Sequence, residues 1–382
     1  MIIIFLTVMK GLLDEIRAVM RRFLKPSLYW LLVFLPWAVW TEHARPESHG
    51  FIFIAACLAI VPLAAILGRA TEHIASRVGE GLGGFLNATF GNAAELIIAI
   101  VALQAGKIEV VKASLIGSII GNLLLVLGAS FLAGGIRHKV QEFNPVGTTS
   151  QTTTLSIAAI ALVVPTVFYA EGVGRITQEL EDALSLAFAL VLLLLYFLSL
   201  VFSLGTHTML FGPEEATTGP GEDLHIEKPW SIGKSVLLLV GSSALIAWMS
   251  ELLVGSVEQA SHAMGMSQVF VGVIVVAVVG NAAEHSTAIL MAIKNRISLS
   301  LGIALGSSIQ IAVFVAPLLV LLSYAIAAHP MDLVFSRGEV VVVIFTVFIV
   351  NQVLTDGKST WFGGVQLLAV YAIIAISFYY VP

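Results

Sequence analysis

The sequence has 382 residues, of which 58% are hydrophobic and only 11% are charged, and its formal net charge is -5. This composition indicates an integral membrane protein built from apolar helices and excludes a soluble enzyme. The low charge also excludes a nucleic-acid-binding protein, because no basic surface is available for phosphates. The single cysteine, Cys57, lies in an apolar run, so neither an intramolecular disulfide nor a thiolate metal site is predicted.

Residues 1–26 are predicted to form an amphipathic helix on the inner membrane surface. Its apolar residues fall roughly on one helical face, and its basic residues follow the apolar start of the chain. A cleaved secretory signal has the opposite order, so a surface helix is the favoured interpretation. Residues 27–50 hold the first predicted span and the loop after it.

Hydropathy predicts eleven transmembrane helices, each long enough for about 30 Å of hydrocarbon except the short tenth one. They lie at about 27–42, 51–75, 82–104, 109–134, 148–170, 182–205, 231–255, 268–293, 298–324, 338–355 and 360–381. With a cytoplasmic N-terminus, fourteen of the 19 Lys and Arg residues fall on the inner side. The sequence therefore predicts a multi-pass protein with its N-terminus inside and its C-terminus outside, in the plasma (inner) membrane if the organism is a prokaryote.

One five-residue sequence motif, which we call the phrase, occurs twice in the chain. Gly-Asn-Ala-Ala-Glu stands at 91–95 and again, 189 residues later, at 280–284. The same spacing relates Gly117-Ser118 to Gly306-Ser307. Duplication is the simple explanation, with five spans in each copy after a single added span. Because five is odd, the second copy is inverted, and the predicted fold class is all-α with two inverted-topology repeats in a 1+5+5 arrangement.

The predicted domain organisation follows from this duplication. In chain order it is the amphipathic segment 1–26, the first span and loop 27–50, the first repeat 51–211, the linker 212–229 and the second repeat 230–382. The linker is acidic and contains several Gly and Pro residues. A solvated cytoplasmic loop is the favoured interpretation of the linker, and a weak calcium-sensing or cation-concentrating role is the alternative.

Glu95 and Glu284 end the two copies of the phrase, in the middle of predicted spans three and eight. An unpaired carboxylate at that depth costs on the order of a few kcal/mol, so each predicts a functional site. On a helix the Asn three positions earlier shares a face with the Glu, and the Gly lies one turn behind it. The predicted metal ligands are Glu95, Glu284, Gly91, Gly280, Asn92 and Asn281.

Carboxylate, amide and backbone oxygens form a hard ligand shell, which suits Ca²⁺ better than Zn²⁺ or Cu²⁺. When the site is empty, the two carboxylates repel each other in a low dielectric and are poorly solvated. Ca²⁺ and protons therefore compete for Glu95 and Glu284, and this mutual exclusion is what antiport requires. Ca²⁺ and protons are the predicted substrates, the lipid bilayer is the only other predicted partner, and no cofactor is predicted.

Other polar residues in the apolar spans are assigned to the vestibules or to the ion path. They are Glu72, Glu251, Asn87, Ser118, Ser307, Gln310 and His285. Inverted symmetry would place Glu72 and Glu251 in opposite vestibules, and snorkelling to the membrane surface is the alternative for both. The serines are favoured as helix-packing contacts, with a hydroxyl contribution to the site as the alternative. For His285 a hydrogen-bonded core position is favoured over a ligand role.

The sequence around the phrase resembles the calcium/proton exchanger family of the cation/calcium exchanger superfamily. The residues that carry the resemblance are Asn87-Ala-Thr-Phe-Gly-Asn-Ala-Ala-Glu95-Leu and Gly280-Asn-Ala-Ala-Glu-His285, followed by the two Gly-Ser pairs. The resemblance implies an eleven-span fold with an acidic linker. It also implies that Glu95 and Glu284 are the shared Ca²⁺ and proton residues, and that the Gly91 and Gly280 carbonyls complete the shell.

Three alternatives remain open. A sodium(potassium)/proton or sodium/calcium exchanger of the same superfamily is disfavoured, because Ala93 and Ala282 lie where hydroxyl groups would help to bind Na⁺. A cation channel would also need a midplane acidic site, and saturable flux driven by a pH gradient distinguishes the two. An intramembrane metalloenzyme is the weakest alternative, because Glu72-His73 and Glu284-His285 lack the His-Glu-x-x-His spacing.

Overall fold

The computed structural model describes residues 27–78, 83, 86, 87, 89–171, 177–207 and 230–380. These residues are almost entirely helical, and the predicted all-α class is confirmed. The apolar composition explains this, since a helix satisfies its own backbone hydrogen bonds where no water is available. The predicted surface helix at 1–26 and the predicted linker at 212–229 lie outside the described residues.

The elements are numbered along the described part of the chain. They are α1 (Phe34–Ala44), α2 (His49–Val78), α3 (Ala93–Gln104), α4 (Ile108–Ile120), α5 (Leu127–His138), β1 (Val140–Glu142), α6 (Pro145–Glu171), α7 (Gln178–Val201), α8 (Ile232–Ala263), α9 (Gln268–Phe270), α10 (Ala277–Gly280), α11 (Ala282–Ile293), α12 (Ile297–Gln310), α13 (Ala316–Ile326), α14 (Arg337–Leu354), β2 (Lys358–Thr360) and α15 (Trp361–Tyr380). A 3₁₀ segment at Leu28–Val33 precedes α1. Turns of π-helix lie at Gly121–Val126, Phe202–Thr206, Val271–Val276 and Ile311–Val315.

Eight helical segments of the described chain are long and apolar enough to cross a membrane. They coincide with eight of the predicted spans, although α8 runs to Ala263, eight residues beyond the predicted end. A ninth candidate is the pair 268–280 and 282–293, which is bent by 63° where the sequence predicted one unbroken span. The shorter helices α1 and α3 lie at the first and third predicted spans.

One end of the helix bundle is marked by the two strands. β1 pairs with β2 in antiparallel register, with Val140 opposite Thr360. Beside them, the Gln141 amide donates a 2.9 Å hydrogen bond to the Ala292 carbonyl at the end of α11. The turns after α5, α11 and α14 therefore meet in one place, which we call the strand end (residues 138–145, 292–296 and 355–360).

Two short ion pairs lie at the opposite end of the described bundle. Lys107 lies 2.6 Å from Glu258, near the end of α8. Lys112 is only 5% exposed, lies 2.6 Å from Asp332 and donates to a backbone carbonyl of the loop before α14. We call this region the ion-pair end (residues 105–112 and 327–336). It is opposite the strand end because the continuous helical segment from Ile108 to His138 joins the two.

Helices α2 and α8 pack along each other over much of their length. Where α2 ends and α8 begins, the Trp230 ring stacks on His73 at 4.2 Å, and the Lys234 ammonium lies 4.4 Å from the Trp230 ring centre. The far end of α8 carries Glu258 at the ion-pair end, so this aromatic and basic cluster belongs to the other end. Amphipathic rings and cations in such a place are typical of a membrane–water interface.

The centre of the bundle depends on small residues that let backbones approach. A Cβ at Gly117 on α4 would overlap the Val273 carbonyl, and a Cβ at Gly272 would lie 2.7 Å from that of Ala113. Helix α4 therefore crosses the π-helical turn at 271–276 in direct backbone contact. Membrane helices associate largely through such close packing, because lipid offers little hydrophobic driving force. This crossing brings the two copies of the repeated phrase together.

Candidate cation site

Both copies of the phrase interrupt a helix. Helix α10 ends at Gly280 and α11 begins at Ala282, while residues 91 and 92 form a turn before α3. Asn92 (φ -95°, ψ 25°) and Asn281 (φ -94°, ψ 5°) have nearly the same non-helical backbone conformation. The sequence placed each phrase inside one predicted span, and the structure shows a break within each of them. A glycine followed by an asparagine tolerates the break, and a broken helix can turn polar backbone groups toward a cavity.

The break places each carboxylate in the first turn of a helix, where the positive end of the helix dipole favours negative charge. Each carboxylate faces the glycine of the other copy. A Cβ built on Gly280 would lie 3.2 Å from Glu95 Oε1, and one built on Gly91 would lie 3.8 Å from Glu284 Oε1. The two carboxylates are also close enough to interact electrostatically. A larger residue at Gly280 would therefore press on Glu95, whereas one at Gly91 would only touch Glu284.

Three buried oxygens of these phrases have no hydrogen-bond partner. They are Glu95 Oε1, Glu284 Oε2 and Asn281 Oδ1. Buried polar atoms in native structures are nearly always paired, so a cluster of unpaired oxygens needs an explanation. Oxygens that only accept, two of them carboxylate oxygens, match the ligand preference of a hard cation.

A hydrogen-bonded chain runs beside the carboxylates and connects the two halves. Asn92 Nδ2 donates to Gln310 Oε1 at 2.7 Å, and the Ser307 hydroxyl donates to Asn92 Oδ1 at 2.8 Å. Asn122 Nδ2 donates to Ser307 at 3.0 Å, and Asn122 Oδ1 lies 3.2 Å from His285 Nε2. A Cβ built on Gly91 would lie 3.7 Å from Gln310 Oε1 and 3.8 Å from Glu284 Oε1, so the chain borders the acidic pair.

The second asparagine has different partners. Asn281 Nδ2 donates to Ser118 Oγ at 3.0 Å and to the Ala277 carbonyl at 2.9 Å. Both hydroxyls that the sequence placed near the site therefore bond to the asparagine of the opposite half. The serines were favoured as helix-packing contacts with a hydroxyl contribution as the alternative, and these two bonds accord with the alternative. Their neighbours Gly117 and Gly306 differ, since a Cβ at Gly306 would meet nothing within 4 Å.

Three residues assigned to the path are not gathered at this centre. Asn87 is exposed, and its backbone carbonyl accepts from Gly91 N at 2.8 Å. Glu72, in the last third of α2, and Glu251, past the middle of α8, have exposed side chains. They lie on the two helices that pack along each other, beside the bonded centre. Their assignment to vestibules stays a prediction.

Sequence reasoning missed the ion pairs that fix the far end of the bundle. Lys112 was counted as an outer-side residue, but it is buried in α4 and paired with Asp332, 220 positions away. Its only sequence signal is a charged residue one turn inside an apolar helix. The link that Asn122 makes from His285 to Ser307 was not predicted either.

Comparison with known proteins extends these observations. A family model described as "Sodium/calcium exchanger protein" matches residues 48–205 and 234–380. The Ca(2+)/H(+) antiporter of Synechocystis sp. is 46% identical over 371 residues, covering 92% of this chain and 96% of the relative. The Ca(2+)/H(+) antiporter ChaA of Bacillus subtilis is 42% identical over 329 residues, covering 86% of this chain and 92% of the relative.

Solved structures agree with the sequence comparison. The structure of native YfkE matches with a TM-score of 0.79 at 37% identity, covering 92% of this chain and 99% of that one. The crystal structure of the H+/Ca2+ exchanger CAX matches with a TM-score of 0.68 at 15% identity, over 92% of this chain and 91% of that one, and shares the fold. The chain therefore belongs to the sodium/calcium exchanger protein family, in the calcium/proton exchanger branch that the two phrases predicted.

Proposed function

We propose that this protein is a secondary active antiporter that exchanges Ca²⁺ for protons across a membrane. The observation that carries the proposal is the group of buried, unpaired oxygens on Glu95, Glu284 and Asn281, contributed by both halves. Relatives that are 46% and 42% identical are Ca(2+)/H(+) antiporters, which supports the same exchange here.

Ca²⁺ fits the available donors better than the alternatives do. It takes about 6–8 oxygen ligands in flexible geometry, which carboxylate and amide oxygens, the Gly91 and Gly280 carbonyls and water can supply. A sodium/calcium or sodium(potassium)/proton exchange is the second candidate. It is disfavoured because Ala93 and Ala282 add no hydroxyl to the phrases.

Exchange follows from two carboxylates in one buried place. With Ca²⁺ bound, both carboxylates are ionised and their charges are neutralised by the ion. Without Ca²⁺, like charges at short range in a low dielectric are costly, and protons relieve that cost. Glu95 and Glu284 therefore hold either one Ca²⁺ or protons, and a carrier that changes access only when one of these is bound couples their fluxes.

We further propose eleven transmembrane helices in a 1+5+5 arrangement of inverted repeats. The clustering of turns into two ends supports it, because the turns after α5, α11 and α14 were all predicted on the cytoplasmic side and meet at the strand end. The Lys107 and Lys112 region and the loop before α14 were predicted outside and meet at the ion-pair end. On this assignment the strand end is cytoplasmic, and in a prokaryote the membrane is the plasma membrane.

The test is transport by the purified full-length protein in sealed liposomes. With an acidic lumen, radioactive Ca²⁺ should accumulate against its gradient and should stop accumulating when a protonophore collapses the pH difference. Uptake should saturate with Ca²⁺ and should survive replacement of Na⁺ and K⁺ by an organic cation. Downhill flux that ignores the pH gradient would indicate a channel, and a strict need for Na⁺ would indicate the sodium exchanger.

A further inference from the structure

Among the positions next to the candidate site at which the two repeats differ, three belong to one hydrogen-bonded chain. In each of these repeat-related pairs, one member is a hydrogen-bonding residue and the other has no polar side chain. The pairs are Gln310 and Gly121, Asn122 and Ile311, and His285 and Leu96. All three polar members belong to one hydrogen-bonded chain, which passes through Asn92 and ends at Gln310. The two halves of the site therefore differ by a connected structure, and its effect on the ligands can be worked out.

The amide orientations in the structure give this chain one direction. Asn122 Nδ2 donates to Ser307, so Asn122 Oδ1 faces His285 and accepts from Nε2 in the tautomer that carries the hydrogen there. Ser307 accepts from Asn122 and donates its one hydroxyl hydrogen to Asn92 Oδ1. Asn92 Nδ2 then donates to Gln310. Every donor points from His285 toward Gln310, and both ends of the Asn92 amide are occupied.

Asn281 is held in the opposite sense. A backbone carbonyl only accepts hydrogen bonds, so the 2.9 Å contact with the Ala277 carbonyl requires the amide nitrogen of Asn281 on that side. The second amide hydrogen goes to Ser118. The oxygen of Asn281 is thereby directed away from both partners, and it is buried and unpaired although the residue is only 1% exposed.

We propose that the cation shell is asymmetric in its amides: Asn281 gives its oxygen to Ca²⁺, whereas Asn92 is a positioning residue whose oxygen is held by Ser307. This inference rests on the proposed function, because it assigns the ligands of the same site. Repeat symmetry alone would make both asparagines ligands. The unmatched residues Gln310, Asn122 and His285 are what withdraw Asn92 from the ion.

Affinity alone does not separate a ligand from a residue that orients ligands, since loss of either costs roughly 10–100-fold in metal binding. The number of water molecules on the ion does separate them. Removing a ligand oxygen leaves a coordination position that water fills, whereas removing a positioning group leaves the count unchanged. Tb³⁺ is a suitable probe, because it binds oxygen sites as Ca²⁺ does and its luminescence lifetimes in H₂O and D₂O give the number of bound waters.

The experiment compares full-length wild type with Asn281→Ala and Asn92→Ala, with Tb³⁺ bound and shown to be displaced by Ca²⁺. We expect about one additional bound water in Asn281→Ala, because one of the ion's oxygen ligands is lost, and no additional water in Asn92→Ala. Asn281→Leu and Asn92→Leu, which keep the approximate volume without an oxygen, form a second matched pair, used if an alanine variant does not fold. An additional water in the Asn92 variants, or none in the Asn281 variants, would overturn the inference.

A double-mutant cycle on Ca²⁺ affinity supplies an independent readout. Asn92→Ala and Gln310→Ala remove neighbouring members of one chain, so the fold-losses should not multiply. Asn281→Ala and Gln310→Ala share no bond, so theirs should multiply. The reverse pattern would count against the asymmetry while leaving exchange itself intact. A wild type that neither transports Ca²⁺ nor binds displaceable Tb³⁺ would instead overturn the proposed function, and this inference with it.

Discussion

The two halves of this molecule present the same acidic phrase in different surroundings. Glu95 and Glu284 occupy equivalent first turns and face each other's glycines, so the charge is symmetric. The packing is not symmetric, since Gly117 touches a backbone carbonyl while its repeat mate Gly306 meets open space. The comparison teaches that duplication preserved the two carboxylates of the candidate site, while the supporting contacts diverged.

The largest loss of transport should follow from changing the two carboxylates that the halves share. We predict that Glu95→Gln and Glu284→Gln each reduce Ca²⁺ transport by about 100-fold or more, because Gln keeps the shape but loses the charge that either neutralises Ca²⁺ or takes a proton. Expression and folding should stay near wild type. Uptake into liposomes gives the measurement. The matched control is Glu142→Gln, because Glu142 is an exposed residue of β1. Wild-type exchange by either variant would remove that residue from the site.

Proton coupling should test whether the carboxylates act as a pair. We predict that Ca²⁺ affinity falls as pH falls, by about 100-fold per pH unit where two protons are released for each Ca²⁺ bound. The sign follows from competition, since each proton occupies an oxygen that the ion needs. Calorimetry in buffers of different ionisation enthalpy counts the protons. A count near zero would mean that Ca²⁺ binds without displacing protons, as in a channel.

The difference in helix packing between the two halves should appear in the stability of glycine variants. We predict that Gly117→Ala destabilises the protein by about 1–3 kcal/mol, because its Cβ would overlap the Val273 carbonyl on a segment that cannot give way. Gly306→Ala has space for the methyl group and should unfold at nearly the wild-type temperature. Thermal unfolding in detergent checks this matched pair. Equal losses in the two variants would show that the halves pack alike.

The features that depend on the residue types of one segment were predictable from the sequence. Hydropathy located most spans, and depth together with repetition singled out Glu95 and Glu284, because a buried carboxylate is costly wherever the chain places it. The features that the sequence did not predict depend on contacts between segments far apart in the chain. Neither the free oxygen of Asn281 nor the Lys112–Asp332 pair follows from composition or spacing, since each is set by how two helices cross. The 63° bend at Gly280 does not follow from the sequence, because apolar flanks on both sides of the phrase also fit a continuous helix.

The smallest effect is expected at Glu72 and Glu251, which are exposed on the adjacent helices α2 and α8. We predict that they face opposite aqueous sides, because an odd number of spans per half inverts the second copy. Cysteines at these positions, in a Cys57→Ala background, should react with membrane-impermeant thiol reagents from the cytoplasm at 72 and from outside at 251. Neutralising either carboxylate should weaken Ca²⁺ affinity only a few-fold, because exposed charges are screened, and should leave the maximal rate unchanged. Labelling of both positions from one side would contradict the inverted repeat, and loss of maximal rate would place the residue in the central site.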